Sequence, residues 1–261
     1  MAKKLHELKV AELRSELEEQ DEATSCEIEV VSLTAEKLEE SLHVLRVGFF
    51  PQENVCRATQ VAQNLNAMKE LENLCVDVAK EGCSIIAIDR ITQKVVGVAF
   101  NKLQANNDNT IFTYEEYINN CREEPSRAVI QFMLDMDTYA NLFEHCNVNC
   151  LLEIMFLAVH PDFVQKGVGK ALCTTVIELA RKLNCGENVK VPLDDKPLGL
   201  EPRPRIVIAA FTSFISQRIG KFLGFQKIVE IDYENFSYQG VTYKTSVGSH
   251  TPTTTLEYYK L

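Results

Sequence analysis

The sequence predicts one mixed α/β domain, a central sheet with helices on its faces, and three observations carry that prediction. Strand-like and helix-like hydrophobic periods alternate in the order β, α, α, β, β, an insertion, β, α, β, α, β, β. The 261 residues, 46% of them hydrophobic, are enough to enclose a core without disulfides or metal. No internal repeat interrupts the alternation.

Residues 3–22 are charged, with Leu5, Leu8, Leu13 and Leu17 at helical spacing, and form an N-terminal helical extension (residues 1–25) ahead of a domain at 26–261. From Cys26 the pattern becomes a strand, EIEVVSL, ending at Thr34, which can cap a helix through Val47 with Leu38, Leu42 and Leu45 inward. The loop FFPQEN follows, then a helical period from Val55 to Lys80. CSIIAID and KVVGVAFNKL, joined by a short polar connection, read as a hairpin. Residues 104–149 hold two helical patterns broken at Pro125, with eight acids against two bases. An apolar strand covers Cys150–Val159. After the His160-Pro161 turn a helix runs from about Val168 to Leu183, with Val168, Leu172, Val176, Leu179 and Leu183 on one face. Residues 184–204, with four prolines and two glycines, form an irregular loop. RIVIAAF is a buried strand, Ser213–Leu223 a short helix closed by Gly224, and Phe225–Tyr233 and Thr253–Leu261 are strands.

Charge and cysteine usage narrow the function. The formal net charge of −10 opposes non-specific binding to nucleic acid or a membrane surface, which needs clustered Lys and Arg, and leaves cationic substrates open. The longest uncharged apolar stretch, Ile206–Gln217, is too short to span a bilayer. The opening Met-Ala-Lys-Lys-Leu-His-Glu has no apolar signal-peptide core, so a cytoplasmic location is expected. The nine cysteines are scattered among apolar neighbours and read as reduced core thiols. Cys146 and Cys150 lie close, with His145, but no second ligand pair completes a zinc site, and no metal is expected.

The most informative segment is LEIMFLAVHPDFVQKGVGKALCTTVIELARK, in which an apolar strand enters a glycine turn that opens a helix. Gly167 and Gly169 leave room for backbone N–H groups to approach a ligand, and the helix start adds positive partial charge, which together suit a pyrophosphate. Two glycines there also serve tight packing alone. From Gln165 to Lys182 the bases Lys166, Lys170, Arg181 and Lys182 face only Glu178, a local +3 in an acidic chain. Neither the GK[ST] half of a P-loop nor the spacing of a dinucleotide fingerprint is present, so a nucleotide-containing ligand gripped by backbone fits better than ATP or NAD.

Strand, V-x-P, then QKGVGKAL and an amphipathic helix resembles the acetyl-CoA-binding motif of the GNAT superfamily of N-acetyltransferases. GFFPQEN, the acidic insertion and AAFTSFISQRIGKFLGF are similar to the insect-type arylalkylamine branch, and the resemblance covers about residues 26–261. It implies a mostly antiparallel central sheet whose central strand splays from the next, RIVIAAF. It further implies that Gln165, Lys166, Gly167, Val168, Gly169 and Lys170 bind the CoA pyrophosphate through backbone amides, and that Leu157 and Val159 face the pantetheine and acetyl carbonyl. Val164 stands where the family usually has Arg or Gln. The N-terminal LKVAELRSELEEQ resembles the first helix of a SAP-type DNA-binding module. That module's second helix is missing, and seven acids against four bases fit a solvated or partner-binding tail instead.

Acetyl transfer needs the neutral amine, yet at pH 7 an alkylamine with a pKa of about 10.4 is roughly one part in a few thousand free base, a cost of about 4–5 kcal/mol. A general base offsets part of it. The resemblance puts that base at Glu53, whose own residue-level reading is a loop acid beside a helix that Asn54 could cap. It also assigns active-site hydroxyls to Thr212 and Ser216. Thr212 is equally a plausible N-cap and Ser216 a helix-surface residue. Gly220 occupies the position of a family tyrosine that protonates the departing thiolate. The expectation is an acetyl-CoA-dependent N-acetyltransferase of a small primary amine, arylalkylamine or polyamine-like. The alternative is a non-catalytic acyl-CoA-binding or interaction protein that keeps the fold.

Overall fold

The computed structural model describes residues 28–106, 113–194 and 196–261. The predicted helix at 3–22 and the start of the first strand at Cys26 lie outside them. Nine strands are present among the described residues: β1 (Ile28–Ser32), β2 (Ile85–Asp89), β3 (Val95–Ala105), β4 (Cys150–Val159), β5 (Ile206–Phe211), β6 (Gln226–Asp232), β7 (Ser237–Tyr238), β8 (Val241–Thr242) and β9 (Thr253–Lys260). Seven form one sheet in the order β1-β2-β3-β4-β5-β9-β6, while β7 and β8 make a separate small hairpin. Only β4 and β5 run parallel; every other neighbour in the sheet is antiparallel. The last strand, β9, inserts between β5 and β6, a placement that alternation along the chain does not reveal.

Nine α-helices accompany the strands among the described residues: α1 (Leu38–Val44), α2 (Asn54–Ala58), α3 (Leu65–Ala79), α4 (Tyr114–Asn120), α5 (Glu124–Ala140), α6 (Leu142–Cys146), α7 (Val168–Asn184), α8 (Phe214–Leu223) and α9 (Tyr243–Val247). The core has two parts. One joins α1–α3 and α5 to the sheet through Leu42, Leu71, Ile130 and Phe156; the other joins α7 through Leu172, Val176 and Leu183 to Ala99, Leu152 and Val207. All five residues predicted on the inner face of α7 are buried. Each large apolar side chain so buried contributes roughly 1.5–3 kcal/mol, so packing rather than propensity holds this helix.

Three expectations change. The helix predicted over Val55–Lys80 is broken: Gln60 takes a left-handed conformation with φ 60°, and Asn64 restarts the chain as α3 by accepting the Ala67 N–H at 3.0 Å. The insertion carries three helices rather than two, because Asn141 at φ 38° separates α5 from α6; the break at Pro125 holds, with proline in the first turn of α5. Tyr233, predicted to end a strand, starts a 3-10 turn instead, and residues 234–252, for which the hydrophobic pattern has no signal, complete that turn and form the β7–β8 hairpin and α9. Apart from Asn184, which ends α7, the described residues of 184–204 contain no helix or strand.

Candidate active site

The sheet opens at its one parallel pair. Leu151–Glu153 pair with Ile206–Ile208, and beyond them β4 continues through Ile154–Val159 against β3 and β5 through Ala209–Phe211 against β9, without pairing with each other. A bulge marks the point of separation: Phe100 faces Phe156 and Asn101 faces Ile154, so Met155 is an extra residue that bends β4. Past β4, the His160 N–H donates to Val96 O at 2.8 Å. Antiparallel residues alternate between exchanging both hydrogen bonds with a neighbour and turning both away. Counting back from His160, Leu157 and Val159 turn their amide groups toward the side that β5 has left.

At the same end of the sheet lies the glycine turn. Gln165 and Gly167 are both left-handed, φ 63° and 75°, which winds the loop tightly ahead of α7. Among the described residues, no backbone N–H from Gln165 to Gly169 donates to a backbone carbonyl, and no side chain caps α7. By contrast, α2, α3, α4 and α8 are capped by Glu53, Asn64, Thr113 and Ser213. The uncapped start leaves backbone N–H groups open, with Lys166 and Lys170 beside it, a geometry that suits an anion. The two glycines act differently. Gly167 is required by its backbone angle, whereas a Cβ on Gly169 would meet Ile219 Cδ1 of α8 at 3.4 Å. Gly97 matters as much: a Cβ there would come within 2.7 Å of Val168, so its absence lets the start of α7 sit on β3. Val164 is exposed and adds no polar group.

The segment after α1 spans the mouth of the opening. Its π-helical turn, Leu45–Phe49, places Gly48 against the end of β4, where a Cβ would stand 2.4 Å from Val159 O. Arg46 fixes this turn through two hydrogen bonds to buried Glu72, at 2.5 and 3.0 Å. On the other side of the opening, Asn54 Nδ2 donates to Thr212 O at 2.5 Å, and the buried Tyr233 hydroxyl donates to the same carbonyl at 2.6 Å. One short stretch thus packs against the carboxyl end of β4 and is hydrogen-bonded just past the end of β5, with Glu53 in it.

Glu53, rather than Asn54, caps α2: its Oε2 accepts the Cys56 N–H at 2.7 Å, while Oε1 is buried without a hydrogen-bond partner. Its charge is felt nearby. Burial, and secondarily Glu53, push the Cys56 thiol and the Tyr233 and Tyr243 phenols above their ordinary ranges. At α8 the N-cap is Ser213, not Thr212. Ser213 and Ser216 form a reciprocal capping box, Ser216 Oγ accepting the Ser213 N–H at 3.1 Å and lying 2.9 Å from Ser213 O. The fold therefore brings together the Glu53 segment and Thr212, and gives the Ser216 hydroxyl a structural task. The absence of a side chain at Gly220 is built into the packing, since a Cβ would lie 2.3 Å from Phe211 Cε2 and 2.8 Å from Glu257 Oε2.

Asn54 and Tyr233 were not legible as site-forming residues, because they meet Thr212 across 158 and 21 positions of sequence. No group of three or more His, Cys, Asp or Glu able to hold a metal occurs among the described residues. The described cysteines are all free and mostly buried, and burial pushes the Cys83 and Cys173 thiols up to about 12. No described helix is long and apolar enough to cross a membrane.

Parting two parallel strands beside an uncapped helix start lets an extended, anion-headed arm lie edge-on against free strand amides, the requirement of an acyltransferase that draws on a CoA thioester. The acetyltransferase (GNAT) family model matches residues 60–197, just over half of the chain, and the chain belongs to that family. Enzymes of this family use acetyl-CoA as co-substrate. Among solved structures, arylalkylamine N-acetyltransferase 2 from Aedes aegypti aligns with TM-score 0.71 at 22% identity, covering 89% of this chain and 98% of that one. A mosquito arylalkylamine N-acetyltransferase-like protein, 5b, aligns with TM-score 0.67 at 14% identity, covering 90% and 100%. A Drosophila melanogaster polyamine N-acetyltransferase that forms N-acetylagmatine aligns with TM-score 0.66 at 16% identity, covering 90% and 100%. At these identities the likeness establishes the fold. No curated protein matches the sequence.

Proposed function

We propose that this acyltransferase transfers the acetyl group of acetyl-CoA to a small primary amine, with Glu53 taking the amine proton. The observation that supports it is the Glu53 segment lying across the mouth of the β4–β5 opening, packed on the end of β4 through Gly48 and hydrogen-bonded to Thr212 past the end of β5. Acetyl-CoA supplies an acyl group activated as a thioester. Backbone amides from Gln165 to Lys170 hold its pyrophosphate, and the outward amides of Leu157 and Val159 line the acyl arm and steady the developing oxyanion. The Cys56 N–H fixes one oxygen of Glu53, which orients the carboxylate and leaves Oε1 to receive a proton, directly or through water. Thr212 borders the amine, positioned by Asn54 and Tyr233. The amine class follows the neighbours, whose names include arylalkylamine and polyamine acetyltransferases. The reduced thiols fit the cytoplasm.

The test is thiol release from acetyl-CoA in the presence of arylalkylamines, polyamines, agmatine and a lysine peptide. Release with at least one small amine is expected. A second reading, binding without turnover, is favoured by the engagement of Glu53 Oε2 in capping and the missing tyrosine at Gly220. CoA binding with no release for any amine would establish it.

A further inference from the structure

Beside the glycine turn, α8 carries side chains that neither the core nor the proposed chemistry uses. Phe222, at 71%, is the most exposed aromatic among the described residues, a large apolar ring left in water. Two contacts fix its place relative to the turn. Lys170, in the first turn of α7, holds its Nζ 4.8 Å from the centroid of the Phe222 ring. A Cβ on the preceding Gly169 would stand 3.4 Å from Ile219 Cδ1, and Ile219 lies three residues before Phe222 on α8. The ring and the open N–H groups at the start of α7 are therefore one lysine side chain apart.

Two cations accompany the ring. Arg218 lies four residues before Phe222 and so on its face of the helix, and Lys221 directly precedes it. Both are exposed, and neither side chain makes a hydrogen bond or ion pair among the described residues. By contrast Lys182, Lys227 and Lys244 each pair with a nearby glutamate. Unmatched bases beside the turn, in a chain of net charge −10, make this surface complementary to phosphate. One other ring borders the turn: Phe163, with Lys166 Nζ 4.6 Å from its centroid. That ring is partly buried against the core and meets the His160 ring edge-on, so it offers no open face comparable to that of Phe222.

We propose that α8 reads the nucleotide end of the acyl donor: the adenine stacks on Phe222, and Arg218 and Lys221 hold the ribose 3′-phosphate. The inference rests on the assignment of residues 165–170 to the pyrophosphate. That group joins the pantetheine arm to the adenosine, so with the arm in the β4–β5 opening the adenosine leaves the turn on its outer side. Stacking asks only for an open aromatic face, and the planar guanidinium of Arg218 matches a phosphate with two donors. Lys170 stands between the two subsites, its Nζ over the ring and its backbone in the turn. The 3′-phosphate takes no part in acetyl transfer, so a grip on it selects among donors through binding energy remote from the thioester.

Calorimetry on the full chain with CoA and with 3′-dephospho-CoA tests this. The wild type should bind CoA about tenfold more tightly than dephospho-CoA, the worth of charge-assisted hydrogen bonds to one phosphate. Arg218→Gln/Lys221→Gln should weaken CoA by about the same factor and leave dephospho-CoA unchanged, erasing the preference. Phe222→Leu keeps an apolar side chain without a ring and should weaken both ligands alike, by about tenfold, while Phe222→Tyr binds as the wild type does. These positions are exposed, so the melting temperature should hold in every variant. Equal affinity of the wild type for the two ligands overturns the phosphate subsite. Unchanged binding by Phe222→Leu, or an equal loss in Phe222→Tyr, overturns the stacking platform. If CoA binds tightly but is indifferent to all three α8 variants, the glycine turn keeps its assignment and the role of α8 falls alone. If neither ligand binds the wild type, the assignment of the turn falls and the proposal with it.

Discussion

The two ends of β4 make opposite uses of polar groups. At the carboxyl end, beyond Glu153, the strand loses its β5 neighbour and its amides at Leu157 and Val159 turn outward. At the amino end the strand is paired on both sides and polar groups close on one another. Buried Glu153 accepts from the Tyr114 hydroxyl and from Gln104 Nε2 at 2.6 Å, Gln104 also reaches Asp137 at 3.4 Å, and Glu81 Oε2 accepts the Leu103 N–H at 2.5 Å beside buried Lys102. Loss of water pushes Asp137 and Glu153 above the ordinary carboxylate range, Asp137 further through the charge of Glu153, and burial pushes Glu81 up to about 7. Perturbed carboxylates often mark function. Here they tie the 104–149 insertion to the sheet, and the end suited to chemistry is the one with open geometry. The insertion's charge is accordingly less a lure for cations than its composition implies: Asp137 turns toward Glu153, Glu116 completes a capping box, and Glu123 accepts from Asn64.

The sharpest way to break this comparison is Glu53→Gln. The amide oxygen still caps α2, so the melting temperature should hold, while turnover at neutral pH falls about 10²–10⁴-fold and recovers as pH rises toward the amine's own pKa. Unchanged turnover across pH in the thiol-release assay removes Glu53 from the chemistry. Next in size is Gly220→Ala, which drives a methyl into Phe211 and should lower stability by about 1–3 kcal/mol in urea unfolding. If it unfolds like the wild type, α8 is not seated as described.

At the closed end the expectation concerns pH. The folded protein holds the Glu81 proton up to about pH 7, whereas the unfolded chain releases it near the ordinary 4.5, so stability falls as pH rises across that window and levels off above it. Glu81→Gln should remove its share of the slope, leaving that of Asp137 and Glu153, and leave kcat/KM unchanged, read by thermal melts between pH 4.5 and 8. A large kcat effect would make both ends functional. The smallest effect belongs to Ser216→Ala, which should cost about 0.5–1 kcal/mol of stability through the lost capping box, with turnover scarcely altered. A loss of about a hundredfold would instead place its hydroxyl at the reacting atoms.

Local features were legible because their causes are local. The strand Cys150–Val159, the amphipathic period of α7, the Gly224 stop and the glycine turn are each written within one or two helical turns of sequence. Glu53 and the residues from Gln165 to Lys170 could be chosen because the motif that resembles the family is contiguous around each. The break at Gln60 and Asn64 escaped the hydrophobic period, since apolar spacing continues through it while a side-chain cap restarts the helix. Ser213 rather than Thr212 as N-cap, and Glu53 rather than Asn54, show the same limit: adjacent capping residues are chosen by how the preceding strand or turn delivers the chain.

The sequence by itself determined a mixed α/β acyltransferase fold and a glycine turn that is basic within an acidic chain, because periodicity, glycine placement and local charge are properties of neighbours along the chain. Only the tertiary structure decided that β9 lies between β5 and β6, that Met155 bulges where the strands part, and that Asn54, Tyr233 and Thr212 join across the opening. The same holds for Gly220, where Phe211 and Glu257 fill the space a side chain would need. Those outcomes depend on contacts between segments far apart in sequence, whose distances are fixed by packing against a shared core and leave no trace in the spacing of residues.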